Sequence, residues 1–300
     1  MKAFSTYQYL AGEPMTNRDK LEVGSKFWNK GKWDNFVLPF LKERGTLVDM
    51  GCNAGLFLKE AEEVGFKAIG VDSDPEAIKR GKEWRDKNGY GYKLIESKME
   101  DVLDSLPMSD YTILANVHYY FYIADWLRYL DKLQNKTRYC IVVTADKMNS
   151  QPSLASADFN VVRQYFKDWD EVGFIDALPL EGDPMPRKLW GLCFKSRHIE
   201  RAPMEFDCAN HVQDKFYYEI EKGKNFRATK YYRILKGYRK TWTQEQLDEF
   251  IQKKMKLYAD IKERGQIDPI IVGNGRVLDG NHRYSMLKHL GITSVYVRKI

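Results

Sequence analysis

Two clusters combine polar side chains with glycines in ways that suit ligand chemistry. The first reads Asp49-Met50-Gly51-Cys52-Asn53-Ala54-Gly55, directly after a short apolar run. Asp72 ends the next apolar run, 21 residues after Gly51. Glycines at a strand-to-helix turn let a ligand approach the backbone closely. A carboxylate at the end of the following strand can take both hydroxyls of a ribose. The spacing is not G-x-G-x-x-G, so the pyrophosphate cradle of a dinucleotide site is missing and a nucleoside ligand without pyrophosphate fits. The second cluster is Asp279-Gly280-Asn281-His282-Arg283, at the start of a helical pattern. The amides of a helix's first turn point at an anion, and the dipole adds roughly 0.3–1 kcal/mol or more. Arg283 can grip phosphate bidentately and His282 adds a donor. Asp279 and Asn281 are also good capping residues, so a purely structural role stays open.

Three further groups could do chemistry. In Asn116-Val117-His118-Tyr119-Tyr120, His118 can serve as a general base for a hydroxyl acceptor, with Tyr119 beside it. It can equally be a structural histidine in a pocket wall. A phosphate or carboxylate acceptor is already anionic and needs cations instead of a base. Arg187 and Lys188, before a late strand, can supply them or can be plain turn residues. Between Lys222 and Lys240 there are eight Lys and Arg and no Asp or Glu, with Phe226, Tyr231, Tyr232 and Tyr238 interleaved. That segment is a phosphate-facing surface or a solvated face beside a linker.

The elements that must position these groups alternate. Strands are expected at 46–51, 67–72, 92–97, 111–117 and 139–145. Helices are expected at 56–65, 75–89 and 123–134, the second with Pro75 at its start and Gly89 at its end. This order predicts a parallel sheet covered on both faces. Residues 171–180 and 188–196 read as a terminal antiparallel pair that closes a first domain, 1–198. Residues 199–228 read as a connecting region and 229–237 as a strand. Residues 242–265 form the clearest helix, with Thr243 and Gln246 as a capping box and Trp242 with Leu247 as a hydrophobic staple. A strand, a "GNGR" hairpin turn, a second strand, a helix ended by Gly291 and a last strand complete a domain over 229–300.

Bulk properties agree with this division. At 300 residues with 43% apolar content, the chain suits two domains. It has no apolar run of 18 residues, which gives no expected membrane span, and no signal-like N-terminus. The four cysteines are scattered without a CxxC, so no metal site or disulfide framework is expected. A cytoplasmic location is the expectation.

The first cluster, with "GVDSDP" and "ILANVHYYF", resembles the class I S-adenosylmethionine-dependent methyltransferases over about residues 33–198. The resemblance implies a doubly wound, mostly parallel Rossmann-like sheet and S-adenosylmethionine as cofactor. Asp49, Gly51 and Gly55 would border its methionine part, Asp72 its ribose and Glu100 or a neighbour in "SKMEDV" its adenine, with Asn53 and Asn116 further cofactor-binding residues. Two residues before Glu100, where the resemblance expects an acid, stands Lys98. The Pro-Pro-aromatic and Pro-Cys motifs of DNA methyltransferases are absent, which disfavours nucleic acid as substrate. A small-molecule or carbohydrate acceptor, methylated on oxygen and carrying a phosphate in one version of this reading, is expected. The turn at Arg187 resembles that of methyltransferases that cap bacterial polysaccharides with methyl phosphate.

Residues 229–300 resemble the ParB/sulfiredoxin-like fold, a smaller α+β domain. There the glycine and basic residues at a helix start hold nucleotide phosphates. The resemblance implies binding of ATP, ADP or CTP, with Mg, by Asp279, Gly280, Asn281, His282 and Arg283. Asn281 stands where sulfiredoxins carry their cysteine, which excludes that repair chemistry. "DGNHR" is nearest the branch that includes kinases of free serine, so a kinase activity is part of the expectation. A nucleic-acid or scaffold module is the alternative.

Overall fold

A computed structural model describes residues 30–145, 153–179, 188–208 and 211–300. They fall into two compact units, one up to Asp104 with Ser109–Arg197 and one of Ser105–Met108 with His198–Ile300. Among the described residues no helix is long and apolar enough to cross a membrane.

The first unit alternates as its apolar runs require. The strands and helices are β1 (Thr46–Met50), α1 (Leu56–Glu63), β2 (Lys67–Asp72), α2 (Pro75–Asn88), β3 (Lys93–Glu96) and α3 (Met99–Val102). Then come β4 (Ser109–Ala115), α4 (Ile123–Leu133), β5 (Thr137–Ala145), α5 (Phe159–Tyr165), β6 (Trp169–Pro179) and β7 (Lys188–Ser196). The sheet order is β3-β2-β1-β4-β5-β7-β6. The first five strands are parallel, and β7 runs antiparallel between β5 and β6, the expected terminal pair. β1 and β4 are buried along nearly their whole length, so both faces of the sheet must be covered. Local signals fix the helix ends. Asp74 caps α2 by accepting from the Glu76 and Ala77 amides, Pro75 follows it, and Gly89 closes the helix in a left-handed conformation. The order reverses between β1 and β4, which opens a crevice beyond the carboxyl ends of these strands.

At the opposite end of the strands a buried ion pair ties the sheet together. Asp110 on β4 accepts from Arg138 Nη1 of β5 at 2.9 Å and from the Thr46 amide of β1 at 3.0 Å. Its side chain is 1% exposed.

The second unit is a four-stranded sheet ordered β10-β9-β11-β8 under four helices. Its elements are β8 (Glu200–Pro203), α6 (His211–Glu221), α7 (Lys230–Tyr238), α8 (Gln244–Arg264), β9 (Ile270–Gly273), β10 (Arg276–Asp279), α9 (Asn281–His289) and β11 (Ser294–Lys299). The β9–β10 hairpin turns through Asn274 and Gly275, both at positive φ, as a two-residue hairpin of this twist demands. The Thr243–Gln246 capping box is formed, and the Trp242 ring packs on Phe250.

Two expectations are corrected here. Residues 229–237 are helical, not a strand. Thr229 caps the helix by accepting from the Tyr232 amide, and Tyr231, Tyr232 and Leu235 turn inward while Lys230, Arg233 and Lys236 face solvent. The segment 199–228 is not merely a connection. It supplies β8, which pairs antiparallel with β11, and α6, whose Phe216 and Tyr217 join the core.

Removing the carboxylate that anchors three strands should be costly. Asp110→Ala leaves Arg138 to the exposed Glu43 carboxylate at 3.1 Å and the Thr46 amide without this acceptor, and should destabilise the first unit by about 3 kcal/mol, read from the midpoint of urea unfolding.

Candidate functional site

The crevice beyond β1 and β4 holds a cavity of about 900 Å³. Its floor is the turn between β1 and α1. Gly51 and Asn53 both have positive φ and both line the cavity. A Cβ on Gly51 would meet Val117 Cγ1 at 2.3 Å, so only glycine lets the two loops close on one another. Gly55 also has positive φ, but it does not line the cavity. It begins α1, and a Cβ there would press on Leu58 and Tyr92 at 3.3 Å, so this glycine serves helix–strand packing.

Asp72 holds the floor in place. Its Oδ2 accepts from the Asn53 amide at 2.7 Å and its Oδ1 from the Asp74 amide at 2.9 Å. Its carboxyl is pushed up by burial, against the pull of these backbone donors. Beneath it lies Asp49, 2% exposed, whose Oδ1 has no hydrogen-bond partner. Burial, with the negative charge of Asp72, pushes the Asp49 carboxyl up to about 8. Asp49 lies behind the cavity wall, while Asp72 lines the cavity and presents its carboxylate there, which suits a positively charged ligand.

The other expected cofactor residues divide. Asn116, at positive φ, lines the cavity and accepts from the Ala145 amide through Oδ1 at 3.2 Å. Glu100 is exposed in the first turn of α3 and lines the cavity with Lys98, where adenine contacts were expected. His118 does not line it. The imidazole is fully buried behind the wall, its ring 5.4 Å from Tyr119 and 5.8 Å from Trp126. Burial pushes its pKa down to about 4. A base must reach the proton it removes, so the placement favours the pocket-wall reading. Tyr119 also lies off the cavity wall, whereas Tyr120 and Tyr122, not singled out from sequence, line it and are 72% and 62% exposed. Arg187 lies outside the described residues. Lys188 is exposed at the start of β7.

Sequence reasoning also missed the wall formed by α4. Asp125, Arg128, Tyr129 and Lys132 line the cavity. Their spacing of i, i+3, i+4 and i+7 places them on one helical face and was there to be read.

In the second unit Gly280, at φ 86°, begins α9 without a side-chain cap. Arg283 reaches back to Asp279 at 3.4 Å and Asp268 at 3.5 Å. Asn281 Oδ1 accepts from the Cys208 thiol at 3.2 Å. Burial, followed by the charge of Lys254, pushes His282 down to about 4. Lys254 is the unexpected member. It is 5% exposed, its Nζ has no hydrogen-bond partner, and it lies over the Phe250 ring at 4.6 Å and the Tyr231 ring at 5.7 Å. Burial pushes its pKa down to about 7.

The Asp49 shift has a pH consequence. In the unfolded chain Asp49 titrates near 3.8, and in the folded protein near 8, so between these values the folded state holds the extra proton. Stability therefore falls as pH rises from about 4 to about 8. Asp49→Asn, which imitates the protonated acid, should flatten that slope in urea midpoints measured across the same range.

No curated protein sequence matches the chain. Among solved structures, the magnesium protoporphyrin IX methyltransferase of Synechocystis PCC 6803, solved with bound S-adenosylmethionine, is 13% identical with a TM-score of 0.46. The match covers 62% of this chain and 87% of that one. A SAM dependent methyltransferase from Archaeoglobus fulgidus is 14% identical with a TM-score of 0.45, over 60% of this chain and 100% of that one. The bifunctional kinase-methyltransferase WbdD is 16% identical with a TM-score of 0.41, over 72% of this chain and 51% of its own. Residues 28–200, more than half of the chain, match the family described as "Methyltransferase domain", and the chain therefore belongs to the S-adenosylmethionine-dependent methyltransferases.

Proposed function

We propose that the first unit transfers a methyl group from S-adenosylmethionine to an oxygen that is already anionic, a phosphate or carboxylate on a small-molecule or carbohydrate acceptor. Bound S-adenosylmethionine supplies an electrophilic methyl group on a sulfonium. The observation that carries the donor reading is the cavity floor. Gly51 lets the turn after β1 close on Val117 at the cavity floor, and Asp72 presents a carboxylate to the cavity beside it. Asp72 spends two acceptor positions on the Asn53 and Asp74 amides. A carboxylate offers about four such positions, so two remain for a ribose diol.

The acceptor reading rests on what faces the cavity. Among the described residues no histidine lines it, His118 being walled off, and Lys98, Arg128 and Lys132 supply cations among acidic lining residues such as Glu100 and Asp125. Arg128 lies 3.3 Å from Asp125 and Lys132 is 3.0 Å from Asp104, both in solvent, where such pairs are worth little and exchange readily. An anionic oxygen needs orientation by cations and no proton removal, which matches that inventory.

For the second unit the reading is a phosphate site at the first turn of α9, taking ATP, ADP or CTP. The open amides, Arg283, His282 and the buried ammonium of Lys254 all favour an anion there. The chain would then couple phosphate handling, with a kinase step as its strongest form, to methylation.

Calorimetry on the full chain should show S-adenosylmethionine binding that Asp72→Ala weakens by about 1.5–3 kcal/mol, the loss of hydrogen bonds to a charged group. Arg283→Ala should leave that binding intact and abolish binding of ATP, ADP and CTP. No S-adenosylmethionine binding by the intact chain would end the donor reading. Once an acceptor is found with labelled cofactor, His118→Phe should keep turnover within about tenfold, whereas a general base would lose about 10²–10⁴.

A further inference from the structure

We propose that the outer face of α7, continued to Trp242, is a binding track for single-stranded nucleic acid. It goes beyond the methyl transfer above and does not rest on it. Lys230, Arg233 and Lys236 recur at three-residue intervals along this helix and are exposed, and Arg239 and Lys240 extend the row past its end. Successive cations climb about 4.5 Å along the helix axis, so their long side chains can follow a phosphate backbone.

The charge is not neutralised locally. Earlier members of the same three-residue series are: Lys224 pairs with Glu219 at 2.5 Å and Arg227 pairs with Asp248. Glu219, beside α7, is engaged by that lysine and by the Lys230 amide at 3.1 Å, and the charge of Arg233 acts on it without a close ion pair. None of the ion pairs among the described residues involves Lys230, Arg233, Lys236 or Lys240. No Asp or Glu occurs between Lys222 and Lys240 to supply one locally.

The aromatic groups separate a polynucleotide from other polyanions. Tyr238, at the end of α7, is 84% exposed, the most exposed large hydrophobic side chain in the described residues. The Arg239 guanidinium lies over the Trp242 ring at 4.7 Å, next to it in the chain. Cations with an exposed ring offer phosphate contacts and a stacking platform together. Bases in a duplex keep their faces covered, so an open ring favours a single strand.

The test is fluorescence anisotropy of the full-length protein with labelled oligouridine and oligothymidine of about 20 nucleotides. Saturable binding is expected, with log K falling against log salt at a slope of about −0.7 per phosphate contact, near −2 to −3 for three or four contacts. The triple variant Lys230→Glu, Arg233→Glu, Lys236→Glu should lose at least about tenfold in affinity while still binding S-adenosylmethionine. Tyr238→Ala, a surface change that folding tolerates, should weaken oligonucleotide binding about tenfold and leave heparin binding unchanged. Binding of either oligonucleotide supports the track, and their ratio tells RNA from DNA. The proposal is overturned by any of these results: no saturable binding, equal affinity for a duplex of the same length, indifference to the charge reversal, an equal effect of Tyr238→Ala on heparin, or preference for phosphatidylserine-containing vesicles.

Discussion

The Asp72 carboxylate is the joint on which the catalytic unit depends. It closes the end of β2 over the turn that follows β1, through the Asn53 amide on one oxygen and the Asp74 amide on the other. One of these bonds holds the left-handed Asn53 in place, and the other orients the residue that caps α2. Loop, helix start and ligand-facing charge are thus fixed by a single side chain. The arrangement has a cost, since Asp49 is buried nearby and the negative charge of Asp72 adds to burial in raising its proton affinity. A protein without a cationic ligand to receive gains nothing from that placement. For a methyltransferase with a sulfonium cofactor, the same repulsion favours the loaded state.

The second unit repeats the theme with the sign reversed. Lys254 sits on the apolar stripe of α8, between Ile251 and Tyr258, where a leucine would pack at no electrostatic cost. The ammonium instead rests on aromatic faces, which return part of its lost hydration. Its charge adds to burial in holding His282, at the start of α9, toward the neutral form.

Much of the first unit was legible in the chain. Its strands are buried on both faces, so they appear as unbroken apolar runs, and the turn residues at Gly51 and Gly55 are dictated by backbone conformation. Asp74, Pro75 and Gly89 announced α2 for the same reason. The failures have equally specific causes. Tyr231-Tyr232-Arg233-Ile234-Leu235 has the composition of a strand, and that local preference is weaker than the packing of Tyr231, Tyr232 and Leu235 on one side of a helix. β8 is four residues long, half charged and ends in proline. It exists because β11, some ninety residues later in the chain, offers it partners. His118 shows the limit of residue type as evidence, because the depth of an imidazole behind Tyr120 and Phe121 is a property of packing. Lys254 could have been found: positions 247, 251, 254, 258 and 261 share one stripe, and a lysine on it is a departure that asks for a reason.

The late recruitment of β8 also bears on how the chain can be divided. Its four residues cover the outer edge of β11, which otherwise would present a row of free amides and carbonyls. A fragment cut at residue 229, where the sequence alone suggests a domain start, would carry that bare edge into solution. Such a piece would seek a replacement strand from its own copies, and its failure would look like insolubility. A cut at the Arg197–His198 boundary keeps the cover in place.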